Sequence, residues 1–538
     1  MLAAAPRSWT PEPLIPPADG SDSSEQVTGQ LRGGSLLLVS RVFAVGVNML
    51  TQIIIVRWLS PGDYGALAYV LSLTWVARNM STLGMHRVLP RLIPMYHERG
   101  DYPRLFGAIV LQSGSIIVIG LILWLVLLIG EGSGLSFGQE EPRRTLLVIL
   151  ALIVPLEALD YFLFEVLLAA FHRPRSIALR KHVIGPTIKL SVVLVMIWLG
   201  ASLYFLAIGL VVAAAIGIAV YISAVVRIFR ELGLTAHFRG GVRLPWEALA
   251  MGIPLLTTDL MFASRHALDA IVVGTHFGDL GVAQLRAVYP AATLNELVTL
   301  NFAVLFMPLA SRLIARRAYA DLDEAYWRTA AWQTVLTLPI FLLTFSMATL
   351  TTTTLFGEEY RGSAAILAIL SVGFFFTAVL GPSNLVLLAT GSVRYLVLGN
   401  LGIAALNVIL LLMLVPRFGA VGAAIATVTG QVVQRLYEHL GLRRTAVRLV
   451  RRGNAALVLT AGLAALLVFA TSNWLELEPV ASAATAGLAV LLTIRINRDC
   501  LAVAQTFPEA ARIPGARHLF GRAPTTGTSA GRSETDQQ

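Results

Sequence analysis

Two residue types are nearly missing from this chain. Its 538 residues contain one cysteine, Cys500. A lone thiol excludes an intramolecular disulfide and any zinc site built on clustered cysteines. Lysine is almost as scarce: Lys181 and Lys189 are the full complement, so arginine carries nearly all of the 41 basic charges. Charged residues make up 13% of the chain, about half the share of an ordinary soluble domain. There is no GxxxxGK[ST] loop, no HExxH and no Ser-His-Asp arrangement, so no ATP site, zinc-protease helix or catalytic triad is expected. No metal site and no cofactor are expected either. The opening MLAAAPRSWTPEPLIPPADG has no apolar core, so the first apolar span, not a cleavable signal peptide, is expected to direct insertion.

What the chain has instead is apolar length. Hydrophobic residues reach 56% and the mean hydropathy is +0.74. So much apolar surface is matched by lipid, not by a water-soluble core. Fourteen apolar stretches run approximately over 34–56, 64–84, 105–130, 145–170, 176–199, 202–228, 246–275, 281–311, 328–356, 362–389, 394–415, 419–441, 454–472 and 478–496. They are continuous rather than alternating, which predicts an all-α polytopic membrane protein of about 14 transmembrane helices, not a β-barrel.

Arginine crowds every second gap between these stretches. Gaps after even-numbered spans carry, for example, Arg87, Arg91, Arg99 and Arg104, then Arg227, Arg230, Arg239 and Arg243, then Arg312, Arg316 and Arg317. Gaps after odd-numbered spans are short and acidic, with Asp63, Glu140, Glu141, Asp279, Glu358 and Glu359. The formal charge of +10 therefore reads as positive-inside topology, with both termini cytoplasmic, and not as a nucleic-acid surface. Residues 1–32 and 506–538 are rich in Pro, Ser, Gly and Thr and are expected to be disordered cytoplasmic tails.

An internal repeat divides the spans. Gly62-Asp63-Tyr64-Gly65 matches Gly278-Asp279-Leu280-Gly281 at an offset of 216 residues, and Arg175 matches Arg394 at 219. Both could be ordinary turn chemistry, but two agreeing offsets favour related halves: an N-lobe of six helices over 33–230, a C-lobe of six over 244–443, and two appended helices over 454–496. Paired repeats of this kind build transporters with a central cavity.

A few charges fall inside the spans, where each costs roughly 2.5–3.5 kcal/mol on insertion scales and so faces a cavity or a partner. Arg41 and Arg78 lie at a similar depth near the cytoplasmic ends of spans 1 and 2. Two guanidiniums at one level suit a diphosphate; the alternative is that each snorkels to the headgroups. Span 7 carries Asp259, Arg265 and Asp269, and the last two share a helix face and could neutralise each other. Asp259, and Glu296 in span 8, fall near mid-membrane, where a carboxylate could carry H+, help hold Na+, or bond a neighbouring helix. Glu157 and Asp160 share a face of span 4, and Lys189 in span 5 is expected to pair with one of them.

The stretch from Ser40, SRVFAVGVNMLTQIIIVRWLSPGDYGALAYV, resembles the first two helices of polysaccharide flippases of the MOP superfamily, which also includes MATE drug exporters and lipid II flippases. Residues 384–427, with LLATG and PRFGAVGAAIAT, resemble their eleventh and twelfth helices. The resemblance implies a cell (inner) membrane transporter of fourteen helices in two lobes plus two. Such a transporter would flip a polyprenyl-diphosphate-linked oligosaccharide to the outer leaflet, driven by an ion gradient or the membrane potential. Its partners would be that lipid-linked saccharide, membrane lipids, H+ or Na+, and other polysaccharide-assembly proteins, with no nucleic acid. Arg41 matches a basic cavity position of the family, and Arg78 and Arg265 are further candidate cavity bases. The alternative is a MATE-like cation-coupled antiporter, kept open by Asp259 and Glu296. An enzyme of the same pathways would need a large extramembrane loop, and the longest loops here are about 20 residues.

Overall fold

The computed structural model describes residues 20–132, 141–163, 167, 179–235, 237, 241–256, 258–259, 267–443, 454–473 and 478–501. Among them there are helices and no strands. In chain order the helices are α1 Gly20–Trp58, α2 Pro61–Ser81, α3 Met85–Glu98, α4 Tyr102–Gly132, α5 Arg143–Ala151, α6 Ile153–Tyr161, α7 Gly185–Trp198, α8 Leu203–Glu231, α9 Trp246–Gly252, α10 Leu268–Ala315, α11 Tyr319–Phe341, α12 Ala348–Phe356, α13 Ala364–Val379, α14 Ser383–Ala389, α15 Val393–Leu442, α16 Ala455–Asn473, α17 Pro479–Ile496 and α18 Arg498–Leu501. A π-helical turn, Arg180–Ile184, leads into α7.

Ten helical segments among the described residues are long and apolar enough to cross a membrane. Two of them, α10 and α15, are each a pair of helices. Gly278 (φ 64°, ψ −160°) and Gly419 (φ 58°, ψ −137°) break them with a conformation that costs glycine little. The chain reverses at these points. Asp269 and Arg286 would lie roughly 25 Å apart along a straight helix, yet they form an ion pair of 2.7 Å across Gly278. Across Gly419, Tyr395 and Tyr437 stack with ring centroids 4.2 Å apart. The outward surfaces are apolar, with Leu121, Ile122 and Leu125 of α4 and Leu459, Leu463 and Leu466 of α16 all exposed, as lipid-facing helices require. The all-helical, multi-pass expectation is met.

α2 is less apolar and lies inside. Tyr64 through Val70 are all buried, because α2 is wrapped by α10, α5 and α6. Its start is set locally: the Ser60 hydroxyl accepts from the Asp63 amide at 3.2 Å and donates to the Asp63 carboxylate at 2.7 Å, with Pro61 opening the helix. This is a capping arrangement written into the sequence SPGD.

Several boundaries differ from expectation. Residues 20–32 fall within α1; the run Ser21 to Glu25 is rich in residue types favoured at a helix start. Residues 1–19 and 506–538 lie outside the described residues. Span 7 is not continuous: α9 ends in a tight turn, Ile253–Leu255, containing Pro254. Span 10 is broken between α13 and α14 at Gly381-Pro382, where Gly381 has φ 73°. The Tyr326 hydroxyl donates to the Leu380 carbonyl freed by that break. α16 and α17 pack on α11 and α13 in an apolar cluster that includes Phe341, Phe375, Ala461, Ala465 and Ala489.

Candidate transport site

The acidic turns gather at one end of the bundle, and there the two halves of the sequence are tied together. The α2 and α10 copies of the Gly-Asp motif meet. A Cβ on Gly65 would lie 1.9 Å from the Asp279 carbonyl oxygen, so only glycine permits this approach. Arg143 of α5 pairs with the Asp279 carboxylate at 2.6 Å, donates to the Gly274 carbonyl at 3.2 Å, and lies 4.2 Å over the Tyr69 ring. Arg57 at the end of α1 donates to the carbonyls of Leu355, at 2.9 Å, and Thr354 at the end of α12. Tyr64 meets Tyr360 edge to face, and Gln52 donates to the Tyr64 hydroxyl.

Away from this end the two halves differ in chemistry. By helical rise, Arg78 of α2 and Glu296 of α10 each stand about 25 Å from the acidic turns. In the first half this level holds a charged cluster. Arg78 pairs with Glu157 at 3.3 Å and lies 5.6 Å over Trp75. Lys181, in the π-helical turn, is in electrostatic contact with Asp160, Arg41 and Arg78. Asp160 also faces Glu157, and its Oδ1 is buried without a hydrogen-bond partner among the described residues. Arg41 is exposed. Three bases against two acids leave one formal positive charge, and the Arg78–Glu157 pair holds one base in place while Arg41 stays open.

In the second half the same level holds a cavity of about 320 Å³ between α10, α13, α14 and α15. Its polar wall comes mainly from one face of α15, where Gln431, Gln434, Arg435 and Glu438 follow a spacing of three and four residues. Arg435 pairs with Glu438 at 2.9 Å, and Gln434 donates to Glu438 at 3.0 Å and to Asn400 at 3.2 Å. Glu296 faces this wall from α10.

The structure rearranges the expected pairs. Lys189 is exposed on α7 and pairs with neither acid of span 4: Arg78 takes Glu157 and Lys181 stands beside Asp160. Lys181 is about two helical turns closer to the arginine end, where Arg41 and Arg78 already are. Asp269 pairs with Arg286. The reversal at Gly278 brings residues nine before and eight after it to one level, and Asp269 also accepts from the Ala270 amide at 2.8 Å. Arg265 lies outside the described residues. Asp259 has partners in the first half of the chain. It is buried against Arg87 at 2.7 Å and His86 at 3.4 Å, because α9 packs on α3 and draws the residues after it to the arginine end. Lys181, Arg286 and the α15 amides were not singled out in the sequence. The spacing of 431, 434, 435 and 438, and the near-equal distances of 269 and 286 from Gly278, were the signals available.

The fold is one found among membrane transporters. The lipid II flippase MurJ, in an inward closed conformation, superposes with a TM-score of 0.62 at 13% identity over 86% of this chain and 99% of that one. An inward-facing multidrug resistance MATE transporter of the MOP superfamily superposes with a TM-score of 0.58 at 15% identity over 77% and 99% of the two chains. Residues 30–313, more than half of the chain, match the family described as polysaccharide biosynthesis protein, and the chain belongs to that family. An uncharacterized membrane protein of Methanocaldococcus jannaschii is 25% identical over 176 residues, 32% of this chain and 34% of that protein; the match thus spans about a third of that relative's length.

Proposed function

We propose that this chain flips a polyprenyl-diphosphate-linked oligosaccharide from the cytoplasmic to the outer leaflet of the cell membrane during polysaccharide biosynthesis. In this reading the chain has fourteen spans, in two lobes of six plus two, with the arginine end and both termini cytoplasmic. The observation that carries it is the contrast between the ends of the bundle. The acidic-turn end is joined across the halves by Arg57, Arg143 and the Gly65–Asp279 contact, while the polar groups of both halves lie about 25 Å away toward the other end. A site with this layout accepts a charged headgroup from the cytoplasm while the lipid tail stays in the bilayer. Arg41 and Lys181, with Arg78 held by Glu157, supply the positive field for the diphosphate. An ion gradient or the membrane potential drives the cycle.

The test is export of surface glycan in a flippase-deleted host carrying the charge-reversed double variant Arg41→Glu, Arg78→Glu. Loss of export with normal membrane levels of protein is expected, and undiminished export overturns the diphosphate assignment. Reconstituted vesicles provide the coupling test: flipping stops when proton and sodium gradients and the potential are collapsed. A cation-coupled antiporter is the second reading, favoured by Glu296, which lines the second-half cavity with no ion pair among the described residues. Efflux of a cationic dye without any flipping would select it.

A further inference from the structure

We propose that the second-half cavity is a sugar-binding subsite selective against anionic sugars. The inference rests on the flippase reading and assigns the saccharide to a different lobe from the diphosphate. The cavity's polar wall is built from amides, Asn400, Gln431 and Gln434, which both donate and accept hydrogen bonds, as sugar hydroxyl groups do. Two rings, Tyr289 and Phe374, line it as well and stand edge to face at 6.3 Å. An aromatic face beside amides is suited to the apolar face and the hydroxyl rim of a pyranose.

Two observations mark the cavity as a site and not a packing gap. Gln431 is 6% exposed, lines the cavity, and its Oε1 accepts no hydrogen bond among the described residues. A buried acceptor without a donor is uncommon. This oxygen packs against Gly373 of α13, where a Cβ would lie 2.4 Å from it. The second observation is the charge balance. Arg435 neutralises Glu438, so Glu296, with no hydrogen bond or ion pair among the described residues, sets the field of the cavity. That field is negative. It repels a phosphate or a uronate and attracts an amino group, the reverse of the field set by Arg41 and Lys181.

The test uses the full-length protein in lipid nanodiscs and saturation-transfer NMR with three probes of one shape: glucose, glucosamine and glucuronate. Glucosamine and glucose should bind, glucosamine more tightly, and glucuronate should give no signal. In Glu296→Gln the preference for glucosamine over glucose disappears while glucose binding stays. Gln431→Ala weakens both sugars by about fivefold, the loss of one hydrogen bond. Arg41→Glu leaves all three sugars unchanged and weakens inorganic pyrophosphate. Glucuronate binding as well as glucosamine, an intact preference in Glu296→Gln, or no sugar signal from folded protein each overturns the subsite. Its failure is separable from that of the flippase reading: export that depends on Arg41 with no sugar signal removes the subsite alone, and sugar selectivity in a protein that flips nothing removes the flippase reading alone.

Discussion

The two halves of this chain share a Gly-Asp turn motif but not a chemistry. At the offset of 219 defined by Arg175 and Arg394, Lys181 corresponds to Asn400. The first half places a cation where the second places an amide. Around Lys181 stand two arginines and two acids; around Asn400 stand glutamines and a neutralised Arg435–Glu438 pair. The two halves hold two contrasting environments at one level. Helical geometry places the side chains, and the residue types at those places are free to differ as long as the backbone turns agree.

The largest effect should come from reversing the first-half field. The Arg41→Glu, Arg78→Glu variant should lose roughly a hundredfold or more in flipping rate in reconstituted vesicles, since each charged hydrogen bond is worth about 1.5–3 kcal/mol. Glu296→Gln should change the rate far less for a substrate with neutral sugars. Equal losses in the two would break the division of labour between the halves.

Ion pairs sharpen the comparison next. Asp269 is 1% exposed and Arg286 13%, so Asp269→Asn should destabilise the fold by about 3–5 kcal/mol, read as a lower melting temperature in detergent. Arg78 and Glu157 are 24% and 43% exposed, so Glu157→Gln should cost less than about 1 kcal/mol, with its effect on flipping instead. A melting loss as large as that of Asp269→Asn would place Glu157 in the structural framework.

The joined end provides the third contrast. Gly65→Ala drives a methyl group into the Asp279 carbonyl, and overpacking of this kind costs about 1–3 kcal/mol. Gly62→Ala, with nothing within 4 Å of its Cβ, should be neutral or slightly stabilising. Reduced crosslinking between cysteines placed in α2 and α10 near this contact would report the opening in Gly65→Ala. The smallest effect belongs to Lys189→Ala, which should leave both melting and flipping unchanged because Lys189 is exposed and pairs with neither Glu157 nor Asp160 among the described residues.

Much of this was legible from residue order. Apolar runs separated by alternately basic and acidic gaps define a multi-pass helical protein, and SPGD encodes its own helix cap. Arg41, Arg78 and Glu296 stand out because a charge inside an apolar run is costly wherever it lies. Their partners were less legible. Asp269 has Arg265 one turn away in sequence, and nothing local points to Arg286, across a glycine, as its partner. Asp259 looked central until the docking of α9 on α3 moved it to Arg87.

Sequence alone determined the solvent and the helical class, because these follow from the local cost of placing polar groups in lipid. Tertiary structure decided which charges cancel and which stay open. Arg78 is held by Glu157 while Arg41 is not, and Glu438 is neutralised while Glu296 is not. Those outcomes depend on distances of a few ångströms between helices far apart in the chain, and Coulomb energy in a low-dielectric interior is governed by such distances.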